Sequence, residues 1–239
     1  MTAVNVVADR QSLIEKASEF IIIQIEKSIT SNGICTIALA GGSTPKPIYE
    51  KIAAANLPWD KIHIFWGDER YVPKDHQDSN YKMTVEAWLN KVEIPETNIH
   101  PIPTDDGNPE VSAQKHNQEL KDFFSLANGD IPPFDIILLG MGDDGHTASL
   151  FPYTKALDVN DRLITVGNKD DNQRITFTAP LINNAQQVIF LVSGSNKQDA
   201  LAQVFSTDSD SKKYPSKLIK PQGELIWFID EDAAVKIKS

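Results

Sequence analysis

The sequence is poor in cysteine, with Cys35 alone among 239 residues. A single cysteine excludes an intramolecular disulfide and any zinc cluster built from cysteines. None of the five histidines stands at an H-E-x-x-H or similar spacing that would mark a metal site. The sequence therefore predicts no metal centre.

Positive charge and long apolar runs are also scarce. The 23 lysines and arginines are outnumbered by 33 acidic residues, which gives a formal net charge of −10. Nucleic acids and anionic membranes both require a basic face, so we expect neither as a partner.

No apolar run approaches the ~18–20 residues that span a bilayer. The N-terminal MTAVNVVADR lacks the basic and apolar regions of a signal peptide. We expect a cytoplasmic protein.

Apolar periodicity predicts alternating strands and helices. A continuous apolar run rich in β-branched residues at 34–40 is typical of a strand covered on both faces, and 62–68 and 134–140 are predicted to be further strands of this kind. Four further segments are strand candidates: RLITVG, RITFTAP, QVIFLVSG and ELIWFID. Helical spacing or helix-capping residues predict helices over 10–30, about 80–91, 110–126 and 195–205.

This alternation predicts one domain over residues 1–239, a three-layer α/β/α sandwich with a mainly parallel, mixed sheet. The strand candidates at 162–166 and 174–178 have no helix between them, so part of the sheet is expected to be antiparallel. The polar loops at 103–110 and 207–217 are expected to be solvated.

Four polar clusters follow predicted strands, at the sheet edge where open α/β sheets bind ligands. They are Gly41–Thr44, Gly67–Arg70, Gly140–His146 and Ser193–Lys197. In the first, the glycines Gly41 and Gly42 let a ligand approach the backbone, and free N–H groups at a helix start favour an anion. Ser43 and Thr44 can add hydroxyl donors. The alternative is an ordinary glycine turn with a serine or threonine helix cap.

Three cations belong to the same edge. Arg70 suits planar recognition of a phosphate or carboxylate, and Lys197 and Arg174 are further candidates. Each alone is more often a surface charge. Together they predict an anion site.

The segment 140–145 matches G-x-G-x-x-G, but its context argues against a dinucleotide. Asp143 and Asp144 would repel a pyrophosphate, and Pro152 interrupts the segment where a long helix should follow. We interpret the glycines as shaping a turn, between a strand and a short helix, that holds His146 as a base. Asp144 could fix the imidazole tautomer and raise its basicity. No G-x-S-x-G elbow is present, so direct attack by water fits better than a covalent intermediate.

The assembled blocks resemble the glucosamine-6-phosphate isomerase/6-phosphogluconolactonase family, and within it the lactonases. The matching blocks are LAGGSTPKPIYE, IFWGDERYVP, DSNY, LLGMGDDGHTASLFP, RITFTAPLINNA and VSGSNK. The resemblance implies a NagB/RpiA/CoA-transferase-like fold and hydrolysis of 6-phospho-D-glucono-1,5-lactone, the second step of the oxidative pentose phosphate pathway. It also implies no metal or organic cofactor.

The same resemblance implies residue roles. His146 would be the general base and Asp144 its orienting partner. The residues that would hold the phosphate or the sugar are Gly41, Gly42, Ser43, Arg70 and Lys197, with Arg174 in support. Asp68 would order Arg70 or bind a substrate hydroxyl.

Two alternatives remain open. A glucosamine-6-phosphate deaminase/isomerase shares the fold, but that class carries a glutamate before the proline at the position of Phe151, and a tyrosine directly after its acidic pair, where Arg70 stands here. A non-catalytic sugar-phosphate sensor usually adds a DNA-binding segment, which this acidic chain does not show. We expect a monomer that binds a small phosphorylated sugar lactone.

Overall fold

The computed structural model describes residues 2–169 and 172–237. Its strands are β1 (Thr2–Val7), β2 (Cys35–Leu39), β3 (Ile62–Trp66), β4 (Asp68–Arg70), β5 (Ile99–His100), β6 (Ile136–Leu139), β7 (Ile164–Lys169), β8 (Asn172–Phe177), β9 (Gln187–Val192) and β10 (Glu224–Asp230). Its α-helices are α1 (Arg10–Asn32), α2 (Pro45–Ala53), α3 (Asn80–Ala87), α4 (Pro109–Phe123), α5 (Ala179–Asn183), α6 (Gln198–Phe205) and α7 (Glu231–Ala234).

Seven strands form one sheet in the order β1-β10-β9-β6-β2-β3-β5, and every neighbouring pair in it is parallel. The central strands β2 and β6 are buried along their whole length, as a sheet flanked by helices requires. The predicted α/β class is confirmed. Because all these strands run the same way, their carboxyl ends meet at one edge, where the four polar clusters lie.

Helix α1 begins and ends as its sequence predicts. The Asp9 carboxylate accepts a hydrogen bond from the Ser12 N–H at 2.7 Å, and Gly33 closes the helix with φ +83°. Leu13, Ala17 and Ile21 are fully buried at helical spacing. The helix therefore covers the sheet with one apolar stripe.

We predicted that the antiparallel strands belong to the main sheet, and this is wrong: they form a second sheet in the order β4-β8-β7. The chain passes between the two sheets at Gly67. Its N–H donates to the Leu39 carbonyl of the main sheet, and its carbonyl accepts from the Phe177 N–H of the small one. The predicted strand 62–68 is consequently two strands, and the second one carries Arg70.

Other boundaries also differ from the prediction. The edge strands β1 and β5 were not predicted, and α3 ends at Ala87 rather than near 91. The loop 207–217 is not simply solvated, because Pro215 and Ser216 are buried. Within the described ranges, no helix combines the length and apolarity needed to cross a membrane.

Candidate active site

The segments that follow β2, β3 and β6, together with β4, surround a cavity of about 220 Å³. Six of the nine predicted site residues line it: Gly41, Asp68, Arg70, His146, Arg174 and Lys197. The other three, Gly42, Ser43 and Asp144, do not. The cavity therefore brings the predicted base and all three predicted cations to one place.

The segment after β6 is a tight turn that is closed by its own backbone. The Gly142 N–H donates to the His146 carbonyl at 2.8 Å, and the Gly145 N–H donates to the Gly142 carbonyl at 3.1 Å. Gly145 has φ +80°, which a glycine adopts without strain. The short helix predicted after His146 is absent, because Thr147 and Leu150 instead pair in an isolated bridge.

Asp144 and His146 form the predicted pair. The His146 Nδ1 lies 2.5 Å from the Asp144 Oδ1, and the same oxygen accepts the His146 backbone N–H at 3.0 Å. This contact holds the proton on Nδ1 and leaves Nε2 as the basic nitrogen. The ring is 19% exposed and packs against the Phe151 ring, with 4.5 Å between centroids. The imidazole is thus fixed on one side and open to the cavity on the other.

Gly142 is a site residue that sequence reasoning missed. A Cβ at this position would lie 2.0 Å from the His146 Nδ1 and 2.6 Å from the Asp144 Oδ1. No side chain fits there while the pair keeps its geometry. The requirement depends on how the imidazole packs, so the glycine pattern alone did not identify it.

Arg70 and Arg174 are neighbours on adjacent strands of the small sheet. They are directly opposed in the antiparallel β4–β8 pair, and the Nε of each is buried with no partner among the described residues. Burial first, and then the charge of Arg70, lower the pKa of Arg174, while Asp68 acts in the opposite direction. Two opposed guanidinium groups repel each other, so a bound anion would stabilise the pair.

Further contacts orient these arginines. The Arg70 Nη1 donates to the Asp78 carbonyl at 2.5 Å, and the Arg174 guanidinium lies 5.5 Å from the Phe151 ring centroid. In the described part of the chain, no carboxylate forms a salt bridge with Arg70, Arg174 or Lys197. Their charges are therefore available to a ligand.

Asp68 is engaged by neutral partners instead of by Arg70. Its Oδ2 accepts the Ser149 hydroxyl at 2.6 Å, and its Oδ1 lies 3.4 Å from the Asn80 Nδ2. The same amide nitrogen donates to the Asp68 carbonyl at 2.9 Å. Ser149 and Asn80 were not predicted at the site, because only the fold brings them to β4. A direct bond from the Asp68 side chain to Arg70 is not found, and a role toward a substrate hydroxyl stays a prediction.

The glycine loop after β2 has two different parts. Gly41 lies against Asn80, since a Cβ on it would be 1.8 Å from the Asn80 Oδ1. Gly42, at φ +111°, and Ser43 are exposed, and the Ser43 carbonyl accepts from the Arg10 Nη2 at 2.7 Å. Thr44 makes no side-chain cap on α2. Thr44 thus stands at the predicted cap position without the side-chain bond of a cap, and any contact of Gly42 or Ser43 with a ligand stays a prediction.

Glu69 has a structural place beside the cavity. Its side chain accepts the N–H groups of Asn80 and Tyr81, each at 2.8 Å, at the start of α3. Burial is the main effect on the pKa of Glu69 and raises it, against these hydrogen bonds. The carboxylate is thus bound to the start of α3 and does not line the cavity. No group of three or more metal-binding side chains occurs in residues 2–169 and 172–237.

Fold and cavity together define an α/β protein in which a carboxylate-oriented histidine and three cations line one cavity. The family model of glucosamine-6-phosphate isomerases/6-phosphogluconolactonase matches residues 8–227, and the chain belongs to this family. The predicted family is confirmed.

Individual relatives are similar over nearly the whole chain. The 6-phosphogluconolactonase of Nostoc sp. is 58% identical, and that of Synechocystis sp. is 55% identical; each match covers 98% of both chains. The crystal structure of 6-phosphogluconolactonase from Thermotoga maritima superimposes with a TM-score of 0.85 at 30% identity, covering 97% of this chain and 100% of that one.

Proposed function

We propose that the protein is a 6-phosphogluconolactonase, which opens 6-phospho-D-glucono-1,5-lactone to 6-phosphogluconate by attack of water activated by His146. The observation that carries this proposal is the Asp144–His146 pair, with Nδ1 held at 2.5 Å, beside a cavity lined by three cations that form no salt bridge within the described residues. The similarity to two curated lactonases at 55–58% identity supports the same reaction.

The proposed reaction needs one base that later acts as an acid. The Nε2 of His146 takes a proton from water while the water oxygen bonds to the lactone carbonyl carbon. Asp144 stabilises the imidazolium that forms. Collapse of the tetrahedral intermediate breaks the bond between that carbon and the ring oxygen, and the imidazolium returns its proton to the departing oxygen. A base of this kind contributes ~10²–10⁴-fold to the rate.

The three cations orient the substrate. Arg70, Arg174 and Lys197 line the cavity that His146 faces, so an anionic group bound by them keeps the attached sugar near the base. Binding far from the reacting carbon accelerates the reaction through positioning. The phosphate is the group of this substrate that matches their charge.

Phe151 separates this proposal from the deaminase alternative. That class would need an acid directly before Pro152 for its ring-opening proton relay. Here the position holds a phenyl ring, 4% exposed, that packs between His146 and Arg174. A buried aromatic ring exchanges no proton, which favours the lactonase.

The test uses two substrates with the purified protein. The lactone is generated in the cuvette, and its opening is followed as proton release in weak buffer, against the spontaneous rate. Glucosamine 6-phosphate is tested in parallel for ammonia release. We expect fast opening of the lactone and no ammonia. Ammonia release, or lactone opening at only the spontaneous rate, would contradict the proposal.

A further inference from the structure

We propose that Asp230 is a positioning residue that holds Lys197 at the cavity and so sets the affinity for the phosphate of the substrate. The inference rests on the proposed function, since it takes the bound anion to be that phosphate. Asp230 ends β10 and is 2% exposed. No sequence pattern singled it out.

The Asp230 carboxylate binds the turn that leads to Lys197. It accepts the Ser193 hydroxyl, and its two oxygens lie 3.0 and 3.1 Å from the Gly194 backbone nitrogen. Gly194 has φ +101°, and its carbonyl accepts the Lys197 N–H at 3.1 Å. The carboxylate therefore fixes the start of a closed turn, and Lys197 is the last residue of that turn.

The same carboxylate anchors a second segment. Its Oδ1 accepts the Ala233 N–H at 2.9 Å and caps α7. The Gln198 Nε2 at the head of α6 donates to the Asp232 carbonyl at 2.7 Å. The residue that follows Lys197 is thus also tied to the segment that Asp230 caps. The turn before Lys197 is bound by the Asp230 carboxylate directly, and Gln198 after it is bound through the segment that the carboxylate caps.

Lys197 needs such support because no described carboxylate forms a salt bridge that would order its charge. Its side chain is half-buried at the cavity, and no salt bridge to it is found in residues 2–169 and 172–237. A lysine on a flexible four-carbon stem loses rotamer entropy when it binds an anion. A fixed backbone removes part of that loss. Releasing the turn should therefore weaken binding of the ground state and leave the histidine chemistry unchanged.

The test is a double-mutant cycle on the full chain with Asp230→Asn, Lys197→Met and the double variant. For the lactone we expect Asp230→Asn to raise KM roughly tenfold and to keep kcat within about twofold. The double variant should resemble Lys197→Met alone. Asp232→Asn is the matched control, because it removes an exposed charge two residues away and should change neither constant.

A binding measurement separates this proposal from the proposed function. The dissociation constant of 6-phosphogluconate is measured by calorimetry on the same variants, and it requires no turnover. Asp230→Asn should weaken 6-phosphogluconate binding roughly tenfold and leave gluconate binding unchanged. Lactone opening at only the spontaneous rate by the unsubstituted protein would refute the activity and would not affect this result.

Two outcomes would overturn the inference: a fall in kcat with KM unchanged, or independent, multiplying effects of Asp230→Asn and Lys197→Met. If Asp230→Asn does not fold, Ser193→Ala takes its place, because it removes one of the contacts and keeps the carboxylate. It should raise KM in the same direction by a smaller factor, and an unchanged KM would contradict the role of Asp230.

Discussion

Replacing Gly142 with alanine should disable the base while leaving the fold intact. The new Cβ would lie 2.0 Å from the His146 Nδ1, whereas unbonded atoms of this kind pack at about 3.5 Å. The imidazole would have to move by about 1.5 Å, or the turn would have to open. The Asp144 Oδ1, 2.6 Å from the same position, would be displaced with it.

The size of the effect follows from that displacement. A misplacement of about 1 Å can cost about 10²-fold in rate, and complete loss of a general base costs ~10²–10⁴-fold. We therefore expect kcat on the lactone to fall by about 10²–10³-fold with KM little changed, because the atoms nearest to the new methyl group belong to His146 and Asp144. Thermal unfolding should shift by only a few degrees, since the turn is near the surface.

The assay measures kcat and KM for Gly142→Ala in both the unsubstituted and the His146→Ala backgrounds. If the methyl group acts by displacing the imidazole, it should have no further effect once the imidazole is gone. A Gly142→Ala variant that retains full kcat would refute the reasoning. So would a loss of the same factor in both backgrounds, because the methyl group would then act elsewhere.

Three further outcomes follow from the same structure. Asp144→Asn should lower kcat about 10²–10⁴-fold, because an amide favours the wrong imidazole tautomer; an unchanged kcat would contradict the pair. Arg174→Met should raise KM for the lactone roughly tenfold with little change in kcat, measured against spontaneous opening. Burial raises the pKa of Glu119, but hydrogen bonds from His100 and His116 outweigh burial and lower it to about 2. Because this pKa is lowered in the folded state, its stabilisation is present above about pH 4.3 and is lost as the pH falls toward 2. Glu119→Gln should reduce the change in the free energy of unfolding between about pH 4.3 and pH 2, measured by denaturant titrations at each pH.

The interior of the fold could be predicted because its signal is local. The runs that form β2, β3 and β6 are mostly apolar, which is typical of strands covered on both faces. The edge strands gave no such signal. β1 is exposed over most of its length, with Val4 44% and Val6 50% exposed, and β5 has only two residues.

The site was predictable where its residues are close in sequence. Asp144 and His146 are two positions apart, so their contact could be inferred from the turn that carries them. Partners contributed by distant segments could not be inferred in this way. The Ser149 hydroxyl meets Asp68 across 81 positions, and Asp230 meets Ser193 across 37.

The contacts of the loop 207–217 with the site could not be inferred from the sequence either. Its polar composition suggested solvation, but the Ser216 N–H donates to the Gly145 carbonyl at 2.9 Å, next to the proposed base. Tyr214 lies over Gly145, where an added Cβ would be 2.9 Å from the Tyr214 Cδ1. Composition reports average exposure, whereas this contact depends on where the fold places the loop.

The most direct test of the account is kcat for lactone opening by His146→Ala beside the unsubstituted protein, in buffer containing a metal chelator. We predict a fall of about 10²–10⁴-fold with KM for the lactone nearly unchanged, because the cations still hold the phosphate. A His146→Ala variant that retains the full kcat would contradict the assignment of His146 as the base.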